Sequence, residues 1–394
     1  MNLGGMAMAT TLTKKAKEWM TEVSEFAVEH IAPLQNLHKS KNFPNDLWRK
    51  MGEEGLLGLM ISKEFGGMGK SAVEMSLSAN ALAKDGGNLG IVLSFLIHQI
   101  TAHYIIERLG SENQKKTWLP DLAQGKITAC FAVSEPNIGA HPKYISTQAE
   151  KIKGGYVLNG EKSYLTNGPM ADLFIVIAVT GNVSGKKRFS AFIVPKHSPG
   201  LEISDPMDIS FFRPALHGGI TMDHCEVQDD SIIASSGNSY EDIVLFFREI
   251  EDTLMMGAVT GALEKQARII VEMVRKKIPV PDASLNLDLG KLKIMLDTAR
   301  IISYESAAML DSGGGHHEKT SLTLFFRDLA KDILVLLEII IKNTKIEPSP
   351  QYQALTYGLT ASSRIGGKVA ELKQIKLGSL FYNGVFSGEP SGIY

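Results

Sequence analysis

Two short patterns in the sequence contain residue types that could do chemistry on their own. Gly66-Gly67-Met68-Gly69-Lys70-Ser71 ends like a phosphate-binding loop, but the first glycine of that pattern would fall at Glu64 and no strand precedes it. The spacing therefore predicts a plain turn. His316 and His317 stand beside three glycines without another ligand three or four residues away, which indicates a solvated loop and no metal site. These patterns leave the function open.

The composition is that of a globular protein with more than one domain. The chain has 394 residues, 44% hydrophobic and 21% charged, which predicts two or three packed domains. A formal net charge of -2 provides no global positive field for a nucleic-acid backbone. Cys130 and Cys225 are too few for a disulfide framework or a thiolate zinc site, so we expect both to be small buried hydrophobic residues in a reducing cytoplasm.

Neither a membrane span nor a targeting segment is expected. The longest continuous apolar runs, Phe174–Val179 and Ile333–Leu337, are far shorter than the roughly 20 residues that cross a bilayer. Met1–Thr11 has neither a basic segment before an apolar core nor an Arg-rich amphipathic pattern, which argues against a signal or transit peptide. We therefore expect a cytoplasmic protein.

Hydrophobic periodicity predicts an α+β fold in three parts. Helical spacing of the apolar residues marks the first and last parts of the chain. Short β-type runs between turn residues mark the middle part. The predicted domains are an N-terminal helical domain over 1–125, a middle β domain over 126–237 and a C-terminal helical bundle over 238–394.

Turn residues and periodicity also predict individual elements. Lys153–Tyr156 and Gly181–Gly185 have the composition of hairpin loops. No helices separate the β-type runs, so we expect no parallel crossovers in the sheet. The helices predicted from periodicity are Ala72–Lys84 and Ile91–Leu109 in the N-terminal domain, and 243–277, 289–310, 321–342 and 352–380 in the bundle.

The order of residues in the β segment is more specific than any short pattern. Phe131-Ala132-Val133-Ser134-Glu135-Pro136-Asn137-Ile138-Gly139-Ala140 is followed by Leu158-Asn159-Gly160-Glu161-Lys162-Ser163-Tyr164-Leu165-Thr166-Asn167-Gly168. Phe192-Ile193-Val194-Pro195 continues the pattern, and Glu64-Phe65-Gly66-Gly67-Met68-Gly69 precedes it. From its start to about residue 235, the chain resembles the acyl-CoA dehydrogenase family.

This resemblance implies a helical domain, a β-barrel or sandwich domain and a helical bundle, with FAD between the β domain and the C-terminal helices. It implies that the hydroxyls of Ser134 and Thr166 hydrogen-bond the flavin ring edge, where short donors stabilise the electron density gained on hydride transfer. The other implied cofactor contacts are the ring-face residues Phe131, Val133, Tyr164 and Leu165, the phosphate-side residues Gly139 and Ala140, and Arg275 toward the FAD of a neighbouring subunit.

The reaction implied by the resemblance removes a proton from Cα and a hydride from Cβ of an acyl thioester. The α-proton is weakly acidic, so a carboxylate of raised pKa must take it. The Tyr-Glu-Gly string that usually supplies this base is Tyr382-Asn383-Gly384 here, and an amide cannot accept the proton. The alternative family position is the first helix of the C-terminal domain, where two possible alignments select Glu251 or Glu249. Both carboxylates could equally face solvent at a helix start.

Departures from the family pattern leave three functions open. The first is an FAD-dependent acyl-CoA dehydrogenase that passes electrons to an electron-transfer flavoprotein. The second is a non-catalytic or half-site subunit of a heteromeric dehydrogenase. Ala140 lacks the hydroxyl that the family uses to bind a phosphate, and Arg275 is all that remains of the family's C-terminal motif that contacts the FAD of a neighbouring subunit. The third is a flavin monooxygenase or oxidase on the same fold. We expect a homo-oligomer, either dimer or tetramer, or a hetero-oligomer with a related subunit.

Overall fold

The computed structural model describes residues 12–34, 36–233, 238–314, 316–364 and 366–384. The α-helices are α1 Lys14–Phe26, α2 Asn45–Glu53, α3 Ala72–Ala81, α4 Leu89–Gln99, α5 Glu112–Ala123, α6 Phe246–Lys277, α7 Ala283–Ser312, α8 His316–Thr344, α9 Pro350–Arg364 and α10 Gly367–Tyr382. The strands are β1 Ala129–Ala132, β2 Gln148–Ile152, β3 Gly155–Thr166, β4 Leu173–Val183, β5 Lys186–Pro195, β6 Leu201–Ile203, β7 His217–Gln228 and β8 Ile232–Ile233.

Several helices continue as, or follow, π-helical segments. Ala27–Ile31 extends α1, Leu82–Gly86 extends α3, Ile100–Glu107 extends α4 and Tyr240–Leu245 precedes α6. Among the described residues, the stretch Leu89–Glu107 is long and apolar enough to cross a membrane by length and composition, with a mean hydropathy of 1.6. Since 94% of its most apolar 18-residue segment is buried inside the protein, it has the surroundings of a core helix.

The chain forms two compact units, each assembled from separate stretches of sequence. The first unit takes the described residues of Met1–Leu34, Ala72–Leu89 and Asp252–Tyr394, and the second takes those of Gln35–Ser71 and Gly90–Glu251. The helix α6 therefore starts in the second unit and continues in the first.

In the first unit, α3 packs closely against α6. A Cβ atom built on Gly257 would lie 2.4 Å from the carbonyl oxygen of Ser76. A Cβ atom on Gly261, one turn further along, would lie 2.2 Å from the carbonyl oxygen of Asn80. Only glycine permits this approach, because any side chain at either position would meet the backbone of α3.

The second unit contains an eight-stranded sheet with the strand order β6-β7-β3-β2-β4-β5-β8, in which β1 also pairs with β4. Residues 173–179 of β4 are buried without exception, so both faces of this strand are covered, and it pairs with β1 and β5 along its edges. Cys130 and Cys225 are free, buried and part of the sheet's apolar core, as predicted. The predicted hairpin loops are also confirmed, since β2–β3 and β4–β5 are antiparallel hairpins.

Two predictions about connections are wrong. The strand β1 pairs in parallel with β4, with Ala129 opposite Leu173, although no helix lies between them. The loop after β1 and the β2–β3 hairpin supply the length that a helical crossover would otherwise provide. The helix predicted over 352–380 is two helices, α9 and α10, because the chain adopts a left-handed conformation at Gly366, with φ 70°.

Candidate active site

The two sequence segments with the predicted cofactor residues lie side by side in the second unit. The strand β1 leads directly into Val133 and Ser134, and β3 ends at Thr166. The backbone N–H of Ser163 donates a hydrogen bond of 2.8 Å to the carbonyl oxygen of Ser134. This bond brings the ends of both segments to one place in the unit.

Three hydroxyls and one amide oxygen at this place have no hydrogen-bond partner among the described residues. Ser134 and Thr166 are half-buried, and within the described part of the chain neither hydroxyl forms a hydrogen bond. The Ser163 hydroxyl and the Asn167 Oδ1 atom are buried, and among the described residues they also lack a partner. Buried polar groups are normally satisfied, so the Ser163 hydroxyl and the Asn167 Oδ1 atom are available to a polar ligand or to water.

A bulge in β3 determines how the neighbouring side chains point. The pairing of β3 with β7 is irregular between Lys162 and Leu165, and Tyr164 adopts φ 58° there. The Tyr164 ring is 56% exposed, whereas Leu165 is 2% exposed and packs in the sheet core. Tyr164 is therefore accessible to a flat ligand, while the Leu165 side chain packs in the sheet core. Val133 is also buried.

Gly139 and Ala140 belong to a tight loop after β1. Glu135 and Gly139 exchange backbone hydrogen bonds of 2.9 and 3.1 Å, and Gly139 adopts φ 61°, which favours glycine. The hydroxyl of Tyr240 donates a 2.7 Å hydrogen bond to the carbonyl oxygen of Ala140. Tyr240 thus connects this loop, by a hydrogen bond, to the segment before α6. Tyr240 could not be identified from the sequence, because no local pattern links it to Ala140.

The first turns of α6 contact the strand that leads to Ser134. The ring centroids of Phe131 and Phe247 are 4.3 Å apart, with an angle of 35° between the ring planes. Residues four apart share one face of a helix, so Glu251 lies on the face of Phe247 and Glu249 on a different face. Both glutamates are half-buried.

The remaining predicted residues belong to the first unit. Arg275 is exposed in the last turn of α6. Asn383, which replaces a carboxylate of the family string, is exposed at the C-cap of α10. The structure therefore groups the β-segment residues and the two glutamates in one unit, and Arg275 is not part of that group.

Comparison with known proteins assigns a family. Residues 13–126 match the family description "Acyl-CoA dehydrogenase, N-terminal domain", and residues 130–225 match "Acyl-CoA dehydrogenase, middle domain". The mitochondrial isovaleryl-CoA dehydrogenase of Oryza sativa subsp. japonica is 30% identical over 305 residues, which cover 75% of this chain and 74% of that protein.

The chain is also similar to a second curated dehydrogenase and to a solved structure. The L-prolyl-(peptidyl-carrier protein) dehydrogenase of Pseudomonas fluorescens is 27% identical over 303 residues, covering 75% of this chain and 79% of that protein. The solved structure "PigA with FAD and proline" has a TM-score of 0.82 at 22% identity and covers 96% of this chain and 100% of that one. With both family matches in place and this fold, the chain belongs to the acyl-CoA dehydrogenase family of oxidoreductases.

Proposed function

We propose that this protein is an FAD-dependent dehydrogenase that removes a proton and a hydride from an acyl thioester. The observation that carries the proposal is the pair of unpaired hydroxyls of Ser134 and Thr166, on segments joined by the Ser163 hydrogen bond. The strand that leads to Ser134 contacts, through Phe131, the helix that carries Glu251. When bound, FAD supplies the acceptor for the hydride.

The chain's own residues fit the flavin ring. The hydroxyls of Ser134 and Thr166 are neutral donors that can hold a polar ring edge without adding a mobile charge. The buried, unpaired hydroxyl of Ser163 offers a further group of the same chemistry. Tyr164, exposed by the bulge, and Phe131 provide aromatic surface for a flat ring.

In this proposal Glu251 takes the proton from Cα. The position of Glu251 on α6 supports this role. The side of α6 that carries Phe247 contacts Phe131, and Glu251 lies on the same side one turn later. Glu249 lies on another face and is the weaker candidate.

The substrate is an acyl thioester. The two relatives are named for thioesters with different carriers, CoA in one and a peptidyl-carrier protein in the other. We take an acyl-CoA as the first choice of substrate and an electron-transfer flavoprotein as the electron acceptor. We expect the protein to be cytoplasmic and to form a homo-oligomer or an oligomer with a related subunit. A half-site subunit is the second candidate, favoured by Asn383, which replaces the usual carboxylate.

The visible absorption spectrum of the purified protein tests this proposal. We expect a bound flavin after reconstitution with FAD and its anaerobic bleaching by one member of a panel of acyl-CoA and acyl-carrier thioesters. A protein that binds FAD but is not bleached by any thioester, alone or with a related subunit, would contradict the dehydrogenase. Bleaching only with the related subunit would support the half-site subunit.

A further inference from the structure

A buried ion pair lies directly behind the two hydroxyl segments. Glu135 follows Ser134, and Lys162 precedes the bulge at Tyr164. The Nζ atom of Lys162 lies 3.0 Å from Oε1 of Glu135, and the two side chains are 0% and 4% exposed. Neither residue has a role in the chemistry proposed above.

The Glu135 carboxylate is bound on both oxygens. Its Oε2 atom accepts 2.8 Å hydrogen bonds from the backbone and the hydroxyl of Ser146. Its Oε1 atom accepts from the backbone of Thr147 at 2.9 Å and from the Thr147 hydroxyl at 2.5 Å. Burial tends to raise the pKa of Glu135, but the attraction of Lys162 and these hydrogen bonds hold it at about 2. The carboxylate thus holds the two ends of the loop between Ser134 and Ser146 together.

The Lys162 ammonium connects this loop to β3. Besides Glu135, it donates a 3.1 Å hydrogen bond to the carbonyl oxygen of Val133. Burial lowers its pKa to about 8, against the attraction of Glu135, so it is mainly charged at neutral pH. Together with the bond from Ser163 to Ser134, this contact fixes the spacing between the Ser134 segment and the Thr166 segment.

Stability alone does not explain a fully buried ion pair, because removing two charges from water offsets most of their attraction. A buried pair with many directional hydrogen bonds does fix geometry. We propose that Glu135 and Lys162 are positioning residues that hold the hydroxyls of Ser134 and Thr166 in the arrangement required for FAD before the cofactor binds. This inference rests on the proposed FAD-dependent function.

The test is FAD binding by a variant without the charges. In Glu135→Gln/Lys162→Met the side chains keep similar volumes. The matched control Lys151→Met/Asp229→Asn removes an exposed ion pair that joins β2 to the turn after β7. Titration of each apoprotein with FAD, followed by flavin fluorescence, gives Kd. The visible spectrum reports the ring environment, and circular dichroism reports folding.

We expect the Glu135/Lys162 variant to remain folded, with an FAD Kd at least tenfold above wild type and a shifted flavin absorption band. The control should keep Kd within twofold. A folded variant with wild-type Kd and spectrum would overturn the inference while leaving the proposed function intact. Wild-type protein that binds no FAD would overturn both.

Hydrogen exchange of the wild-type protein tests the inference even where the variant does not fold. The backbone N–H groups of Ser146, Thr147 and Ser163 donate the bonds that define this arrangement. We expect them to be protected in the apoprotein and little changed by FAD. Fast exchange without FAD and protection only with FAD would show that the cofactor, not the ion pair, orders the segments, and would overturn the inference.

Discussion

The rings of Phe131 and Phe247 contact each other with their centroids 4.3 Å apart, and this contact fixes the rotation of the first turns of α6 about the helix axis. Phe247 is only 6% exposed, so the first turns cannot rotate without exposing an aromatic ring. Glu251 is held on the side of β1 as a result, and Glu249 is about 200° around the helix from Phe247.

We therefore expect different results from the substitutions Glu251→Gln and Glu249→Gln. Loss of a general base lowers a rate by about 10²- to 10⁴-fold, so Glu251→Gln should slow thioester-driven flavin reduction by this factor. Glu249→Gln, its matched control, should stay within about tenfold of wild type because its face points elsewhere. Anaerobic stopped-flow absorbance measures the rate, with FAD content as the control for folding. A large loss in Glu249→Gln alone would reverse the assignment.

Removal of the hydroxyl of Ser134 or Thr166 should weaken the binding of FAD. Ser134→Ala and Thr166→Ala each remove one donor, and a hydrogen bond contributes about 0.5–1.5 kcal/mol, so each Kd should rise about 2- to 10-fold. Ser198→Ala is the control, since this hydroxyl lies in the same unit and is not part of the site. The measurement is a fluorescence titration of the apoprotein with FAD. Unchanged Kd values in both site variants would place the flavin elsewhere.

Local features of this chain could be predicted because their signals are local. The turns at Lys153–Tyr156 and Gly181–Gly185 were predicted from their glycine-rich composition, which is typical of hairpin loops. The continuous burial of β4 was indicated by an unbroken apolar run. Ser134 and Thr166 were identified through the order of residues around them. Their shared position depends on contacts between distant segments, which are the hydrogen bond from Ser163 to Ser134 and the contacts of Lys162 with Val133 and Glu135.

Features that depend on distant contacts could not be predicted. The parallel pairing of β1 with β4 depends on which strand edges meet in the folded sheet, and no residue in β1 encodes that choice. Glu135 and Lys162 are ordinary charged residues in the sequence, and only the fold buries them together. The preference for Glu251 over Glu249 likewise required the contact of Phe247, because alignment alone selected either residue.

The close approach of α3 and α6 predicts opposite effects of alanine at two helical glycines. Gly261→Ala would place a methyl group against the Asn80 carbonyl, 2.2 Å away, and should lower the free energy of unfolding by about 1–3 kcal/mol or more. Gly290→Ala, in α7, has open space around its Cβ position and should raise it by about 0.5–1 kcal/mol. Urea denaturation measures both. Equal effects of the two substitutions would contradict this packing.

His98 predicts a loss of stability in mild acid. Its ring is fully buried, with Nε2 donating to the carbonyl oxygen of Leu122 at 3.1 Å and Nδ1 accepting from the N–H of Ala129 at 3.3 Å. This arrangement requires the neutral ring, and burial lowers the pKa of His98 from 6.5 to about 4, although the bond to Leu122 opposes the shift.

Between pH 6.5 and pH 4 the unfolded chain therefore binds a proton at His98 that the folded chain does not bind. The stability that this residue contributes is complete above pH 6.5 and falls by about 3 kcal/mol as the pH drops to 4. Urea denaturation at several pH values should show a shallower pH dependence in His98→Gln than in wild type. The exposed His224→Gln should retain the wild-type slope. Equal slopes in all three proteins would mean that His98 takes up its proton at the same pH in the folded and the unfolded chain, which would contradict a buried ring held neutral by its two hydrogen bonds.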